Sequence, residues 1–129
     1  MNTEINKQDW GKFFDKLSKR RSEWMTEVEV LKADIGDQIL TNGLPLNGIT
    51  AETVADGRVH IEISVGESVN NHQAHTIQDP IRVSFLEDGR NSVEMVAIEE
   101  KDGTKTLVRF TEPMGILVGF AEYAVMATV

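Results

Sequence analysis

Cysteine is absent from the 129-residue chain. Disulfides, thiolate metal sites and cysteine catalysis are excluded with it. Long apolar runs are missing too: no stretch reaches the roughly 18–20 apolar residues that span a bilayer. The nearest is Met114–Val129, 16 residues that include Glu122. The start, Met1 to Lys7, lacks the apolar core of a secretory signal. These absences imply a cytoplasmic protein with no membrane contact. Positive charge is short: 13 Lys and Arg stand against 21 Asp and Glu, a net charge of −8. Residues 1–23 carry +2 and the remainder −10, a balance that disfavours the phosphate backbone of nucleic acids. Also absent are a Gly-x-Ser-x-Gly elbow, a Walker loop and a dinucleotide fingerprint.

What is present is enough for one core. Apolar residues make up 40% and charged residues 26%, the balance of a globular protein. Two domains of about 60 residues would each have a marginal core, so residues 1–129 read as a single domain.

The first element is an amphipathic helix over residues 6–20. Trp10, Phe13, Phe14 and Leu17 fall at i, i+3, i+4 and i+7 and form one stripe. Asn6 is the expected N-cap, and Lys19, Arg20 and Arg21 complement the C-terminal carbonyls. After Ser22 the period changes to two. Trp24, Thr26, Val28 and Val30 alternate with Met25, Glu27, Glu29 and Leu31, as in a half-buried strand. Ala33–Gly48 is rich in turn residues and reads as irregular, with a short strand near Gln38–Thr41.

From Ile49 onward the chain reads as hairpins. Asp56-Gly57, Asp88-Gly89 and Asp102-Gly103 each separate two alternating runs, the strongest local hairpin signal. A three-residue turn at Gly57 would set Ile49, Ala51 and Thr53 opposite Ile63, Ile61 and Val59, which aligns the apolar faces. Ala74–Ile77 reads as a short strand, and Pro80 places the next strand after it or at an edge. The fold class is therefore α+β, mostly β. An N-terminal helix precedes an antiparallel β-meander over residues 24–111, forming a strongly bent sheet or a small, partly open barrel.

Candidate chemistry rests on a few residues. His72 and His75 form His-x-x-His beside Glu67 and Asp79, but on a strand i and i+3 point to opposite faces, and zinc needs three or four converging ligands. His60 shares a strand face with Glu62, as a solvent-facing pair or as an acid/base pair in a cleft. Lys19, Arg20 and Arg21 are the candidate anion-binding cluster. Glu27, Glu29, Glu62, Glu94 and Glu99 read as the outer face of a sheet.

The segments Asp9-Trp-Gly-Lys-Phe-Phe14, Trp24-Met-Thr-Glu-Val-Glu-Val-Leu31 and Asp34-Ile-Gly-Asp-Gln38 resemble the domain-of-unknown-function family 5335. So do Gly43-Leu-Pro-Leu-Asn-Gly-Ile-Thr-Ala51, His72-Gln-Ala-His-Thr-Ile77 and Asp102-Gly-Thr-Lys-Thr-Leu-Val-Arg-Phe110, in that order. The resemblance spans residues 6–112. It implies a bacterial helix-plus-β domain and no particular activity, ligand or catalytic residue. A helix followed by bent strands also resembles the element order of Sm-like small barrels.

The expected function is a non-enzymatic accessory or protein-interaction module without cofactor or metal. One alternative is a small metal-binding or acid/base enzyme using His72, His75 or His60 with nearby carboxylates. A second is an Sm-like nucleic-acid binder using Lys19–Arg21. The segment 114–129 is apolar on every side, so it is expected to be buried and to carry a homo-oligomer interface.

Overall fold

An apolar stripe on a helix needs a surface to cover, and here the surface is an eight-stranded antiparallel sheet. The computed structural model describes residues 2–67, 72–89 and 92–113. The segment 114–129 lies outside the described residues. Strand β1 (Asn2–Ile5) precedes a 3₁₀ turn at Lys7–Asp9 and helix α1 (Trp10–Arg21). Seven strands follow: β2 (Trp24–Lys32), β3 (Gly36–Thr53), β4 (Val59–Gly66), β5 (His72–Ile77), β6 (Pro80–Glu87), β7 (Val93–Glu100) and β8 (Lys105–Pro113). Their order across the sheet is β1-β6-β7-β8-β2-β3-β4-β5.

Helix α1 starts at Trp10, four residues later than its stripe suggests. Asn6 is not its cap, because the chain first makes the 3₁₀ turn; Asn6 contributes its backbone carbonyl to Asp9 N–H at 2.8 Å, with no side-chain cap bond. The stripe itself is buried as expected. Trp10, Phe14 and Leu17 are at most 3% exposed, and Phe13 stacks on Phe85 with ring centroids 5.3 Å apart. Ser18 anchors the helix to β3 at both backbone groups of one residue, donating to Ile49 O at 3.0 Å and accepting from Ile49 N–H at 2.9 Å.

Of the irregular stretch expected over Ala33–Gly48, only residues 33–35 form a turn; from Gly36 on it is part of one 18-residue strand, β3. Its turn residues bend the strand without ending it. Gly43 takes φ of 87° beside a register shift between Thr26 and Glu27 of β2, and further shifts fall between Val28 and Glu29 of β2 and between Leu46 and Gly48. Gly36–Pro45 pair with β2, and Leu46–Thr53 pair with β4. The strand thus passes from one half of the sheet to the other and folds the sheet over on itself. Val28, Val96, Ile98, Val108 and Val83 from one half join Ile49, Ile61, Ile63 and Ile77 from the other, together with the helix stripe, in one core. The sheet is bent but not closed into a barrel. Among the described residues there are eight strands, one of them before the helix, where the Sm-like order has a helix and five strands.

The hairpin registers hold. Ile49, Ala51 and Thr53 face Ile63, Ile61 and Val59. Gly57 and Gly103 occupy the left-handed region at φ 85° and 92°, and Asp56 and Asp102 cap their turns by accepting the N–H two residues on. The turn at Asp88-Gly89 is built differently. Asp88 N–H reaches Ser92 O over the same span as Val54 N–H to Arg58 O, but here the Asp-Gly pair opens the turn instead of closing it, and Gly89 has no left-handed φ. Pro80 starts β6 outside the stretch, Val83–Leu86, that β1 pairs with, so its missing N–H disturbs no inner ladder.

Candidate functional site

The bend in β3 leaves a gap. Val28, Leu40 and Thr41 form one wall of a cleft, and Ile63, Val65, Gln73, Ala74 and His75 form the other, around a volume of about 360 Å³. Alternation sets the second wall: Gln73, His75 and Ile77 of β5 stand opposite Val65, Ile63 and Ile61 of β4 and share their inward face. Thr41 donates to Gln73 Oε1 at 2.7 Å and ties the walls together. His75 Nε2 is buried without a hydrogen-bond partner among the described residues. Burial holds the His75 imidazole below its ordinary value of 6.5, and the nearby Lys32 charge adds to that. The cleft therefore offers apolar walls with one neutral imidazole.

The sequence candidates do not converge. His75 faces the cleft, whereas His72 lies on the exposed outer face, where Ser64 Oγ and His72 Nε2 are 2.6 Å apart. His60 sits on the outward side of β4 with Glu52 across the ladder, and Glu62 beside it is exposed. Among the described residues no group of three His, Asp or Glu side chains is arranged to hold a metal. The Ser64–His72 contact has the reach of a nucleophile and base, but among the described residues no carboxylate hydrogen-bonds that imidazole.

The anion-binding cluster is divided. Lys19 and Arg20 are exposed, but Arg21 is 8% exposed and already engaged. Its Nε and one terminal nitrogen donate to Val93 O at 3.0 and 2.7 Å, and its guanidinium lies 3.9 Å from the Trp24 ring centroid. Burial lowers the pKa of Arg21, and Asp88 opposes that shift. Arg21 therefore locks the helix end to β7 and β2. The strand glutamates are partly organised as well. Arg109 bridges Glu27 and Glu29 at 2.9 and 2.8 Å, and this contact holds Glu29 below the usual carboxylate range.

No local pattern marks the cleft, because it forms between separate strands of the chain. One signal was available. Ile35, Ile39 and Leu40 are large apolar residues within a polar, turn-rich stretch, and all three are exposed, by 56%, 53% and 40%.

Fold and site together define a small α+β domain: a helix-covered, bent antiparallel sheet with an open apolar cleft. The chain belongs to the family of unknown function DUF5335, which matches residues 1–117. An uncharacterized protein of Aquifex aeolicus (strain VF5) is 29% identical over 105 residues, covering 81% of this chain and 87% of that protein. No solved structure matches. Among the described residues no helix is long and apolar enough to cross a membrane.

Proposed function

We propose that this chain is a non-enzymatic, cytoplasmic interaction module that self-associates through residues 114–129 and uses neither cofactor nor metal. The observation that carries this reading is the exposure of large apolar side chains on the β2–β3 hairpin, Ile35, Ile39 and the cleft-lining Leu40, on a domain whose titratable groups are dispersed. Exposed apolar patches on soluble domains mark surfaces that another surface covers. The net charge of −10 over residues 24–129 supports a protein partner over a nucleic acid.

Size-exclusion chromatography with light scattering tests the reading. A protein at tens of micromolar should have at least twice the 14.4 kDa mass of one chain. A mass of 14.4 kDa at every concentration contradicts it.

The Ser64–His72 contact favours one alternative, an acid/base enzyme. Covalent labelling of Ser64 by a fluorophosphonate probe, lost in His72→Ala, would establish that alternative. No labelling is expected.

A further inference from the structure

Two asparagine–glycine pairs lie within β3, Asn42-Gly43 and Asn47-Gly48, and in both the asparagine is exposed. Such a pair is open to attack by its own backbone. The glycine nitrogen can close on the asparagine side-chain carbon, because no glycine Cβ obstructs it. Closure needs the asparagine backbone to turn out of its extended conformation, so that its side chain lies over the following nitrogen. The sheet opposes that turn unequally at the two pairs.

The Asn47–Gly48 peptide is clamped between β4 and α1. Gly48 pairs with Ser64. On its helix side, Ser18 Oγ lies 3.7 Å from the position a Gly48 Cβ would take, and Ser18 holds both backbone groups of the next residue, Ile49. The Asn47 amide nitrogen also donates to Ser64 Oγ at 3.4 Å. The Asn42–Gly43 peptide has less to hold it. Glu27 pairs with Asn42 and Thr26 with Leu44, which leaves Gly43 as the bulged residue without a partner across the ladder. Gly43 already has φ of 87°, and only the end of the Met25 side chain comes within 4 Å of an added Cβ.

We propose that Asn42 is a deamidation site and that the clamp on Gly48 spares Asn47. The Gly43 nitrogen bonds to Asn42 Cγ, the Cγ–Nδ2 bond breaks, and the Gly43 amide proton leaves with that nitrogen as ammonia. Water then opens the cyclic imide at either carbonyl. One opening gives an aspartyl residue. The other routes the main chain through the side-chain carbonyl and gives an isoaspartyl residue, one backbone atom longer. The aspartyl product sets a carboxylate directly across from Glu27, which already shares Arg109 with Glu29. Like charges facing each other across a ladder repel. The isoaspartyl product displaces the adjoining Thr41, whose hydroxyl ties the walls of the cleft. Either product loosens the pairing of β2 with β3 at the edge of the cleft.

Peptide mapping by mass spectrometry, after incubation of the full-length protein in mildly alkaline buffer, tests the site. In the native protein Asn42 should convert about tenfold faster than Asn47 or more, the factor that one net hydrogen bond supplies. Part of the product should accept a methyl group from isoaspartyl methyltransferase. The urea-unfolded chain, in which neither peptide is clamped, is the reference. Equal conversion at both positions in the native protein would overturn the proposal, and so would protection of both relative to the unfolded chain. Asn42→Asp isolates the charge. It should lower the denaturation midpoint, and by less in a Glu27→Gln background. Losses of the same size in both backgrounds would overturn the repulsion from Glu27.

Discussion

Phe14, Arg21 and His75 each do at one position something that the fold as a whole depends on. Phe14 is fully buried between the sheet halves, so Phe14→Ala removes both its transfer energy and its packing. It should cost about 3–5 kcal/mol in chemical denaturation. Phe13 is only partly buried against the core, and its truncation should cost less. Arg21 was expected among anion-binding residues, because a sequence shows three adjacent charges and not which one turns inward. Its bonds to Val93 O and its stacking on Trp24 need a planar guanidinium, which lysine lacks. Arg21→Lys should destabilise the fold by about 1–3 kcal/mol, whereas an anion-binding role would leave the denaturation midpoint unchanged. His75 sets a pH dependence. Burial lowers its folded-state pKa below 6.5, so its neutral form carries the native state. Above about pH 6.5 both states are neutral and the full stability is present. As pH falls below that value the unfolded chain takes up a proton that the folded chain resists, and stability drops toward the folded-state pKa. The fall in melting temperature between about pH 7.5 and 5.5 should be smaller in His75→Gln than in the wild type. Equal falls would mean that the imidazole is as well solvated in the native state as in the unfolded one.

Among the elements, the hairpins follow most directly from local chemistry. Gly57 sits at φ 85° with nothing within 4 Å of an added Cβ, so Gly57→Ala meets a purely conformational cost. That cost should be about 1–2 kcal/mol by denaturant titration. Gly89 has equal room and no left-handed φ, so Gly89→Ala should be close to neutral. Two matching losses would mean that both turns share one conformation. The register of β3 on β4 was legible because Ile49, Ile61 and Ile63 alternate strictly and a one-residue slip would expose them. The helix was legible for the same reason at period 3.6. The first half of β3 was not, because Asn42-Gly43, Pro45 and Asn47-Gly48 are residues that end strands when exposed and bend them when the next half-sheet supplies a core. Strand β1 was missed as well. It has four mostly exposed residues and is held by pairing with β6, a long-range contact that no local pattern signals.

At the scale of the whole molecule, the sheet folds around a helix and one core but leaves an apolar cleft beside a strand edge that no described strand pairs with. The candidate site was legible only in part. His75 was singled out in the sequence, but its neighbours in the cleft, Ile63 beside it and Val28, Leu40 and Thr41 across from it, come from three other strands. The apolar character of residues 114–129 was legible at once, and that segment lies outside the described residues. Amide hydrogen exchange on the full-length chain, resolved by residue, tests this account most directly. Amides of residues 114–129 should exchange more slowly at tens of micromolar, where the proposed self-association holds, than after dilution, while those of β7, which is paired on both sides, should not change. Exchange within residues 114–129 that is rapid at both concentrations, in a protein whose β2 and β8 amides stay protected, would contradict it.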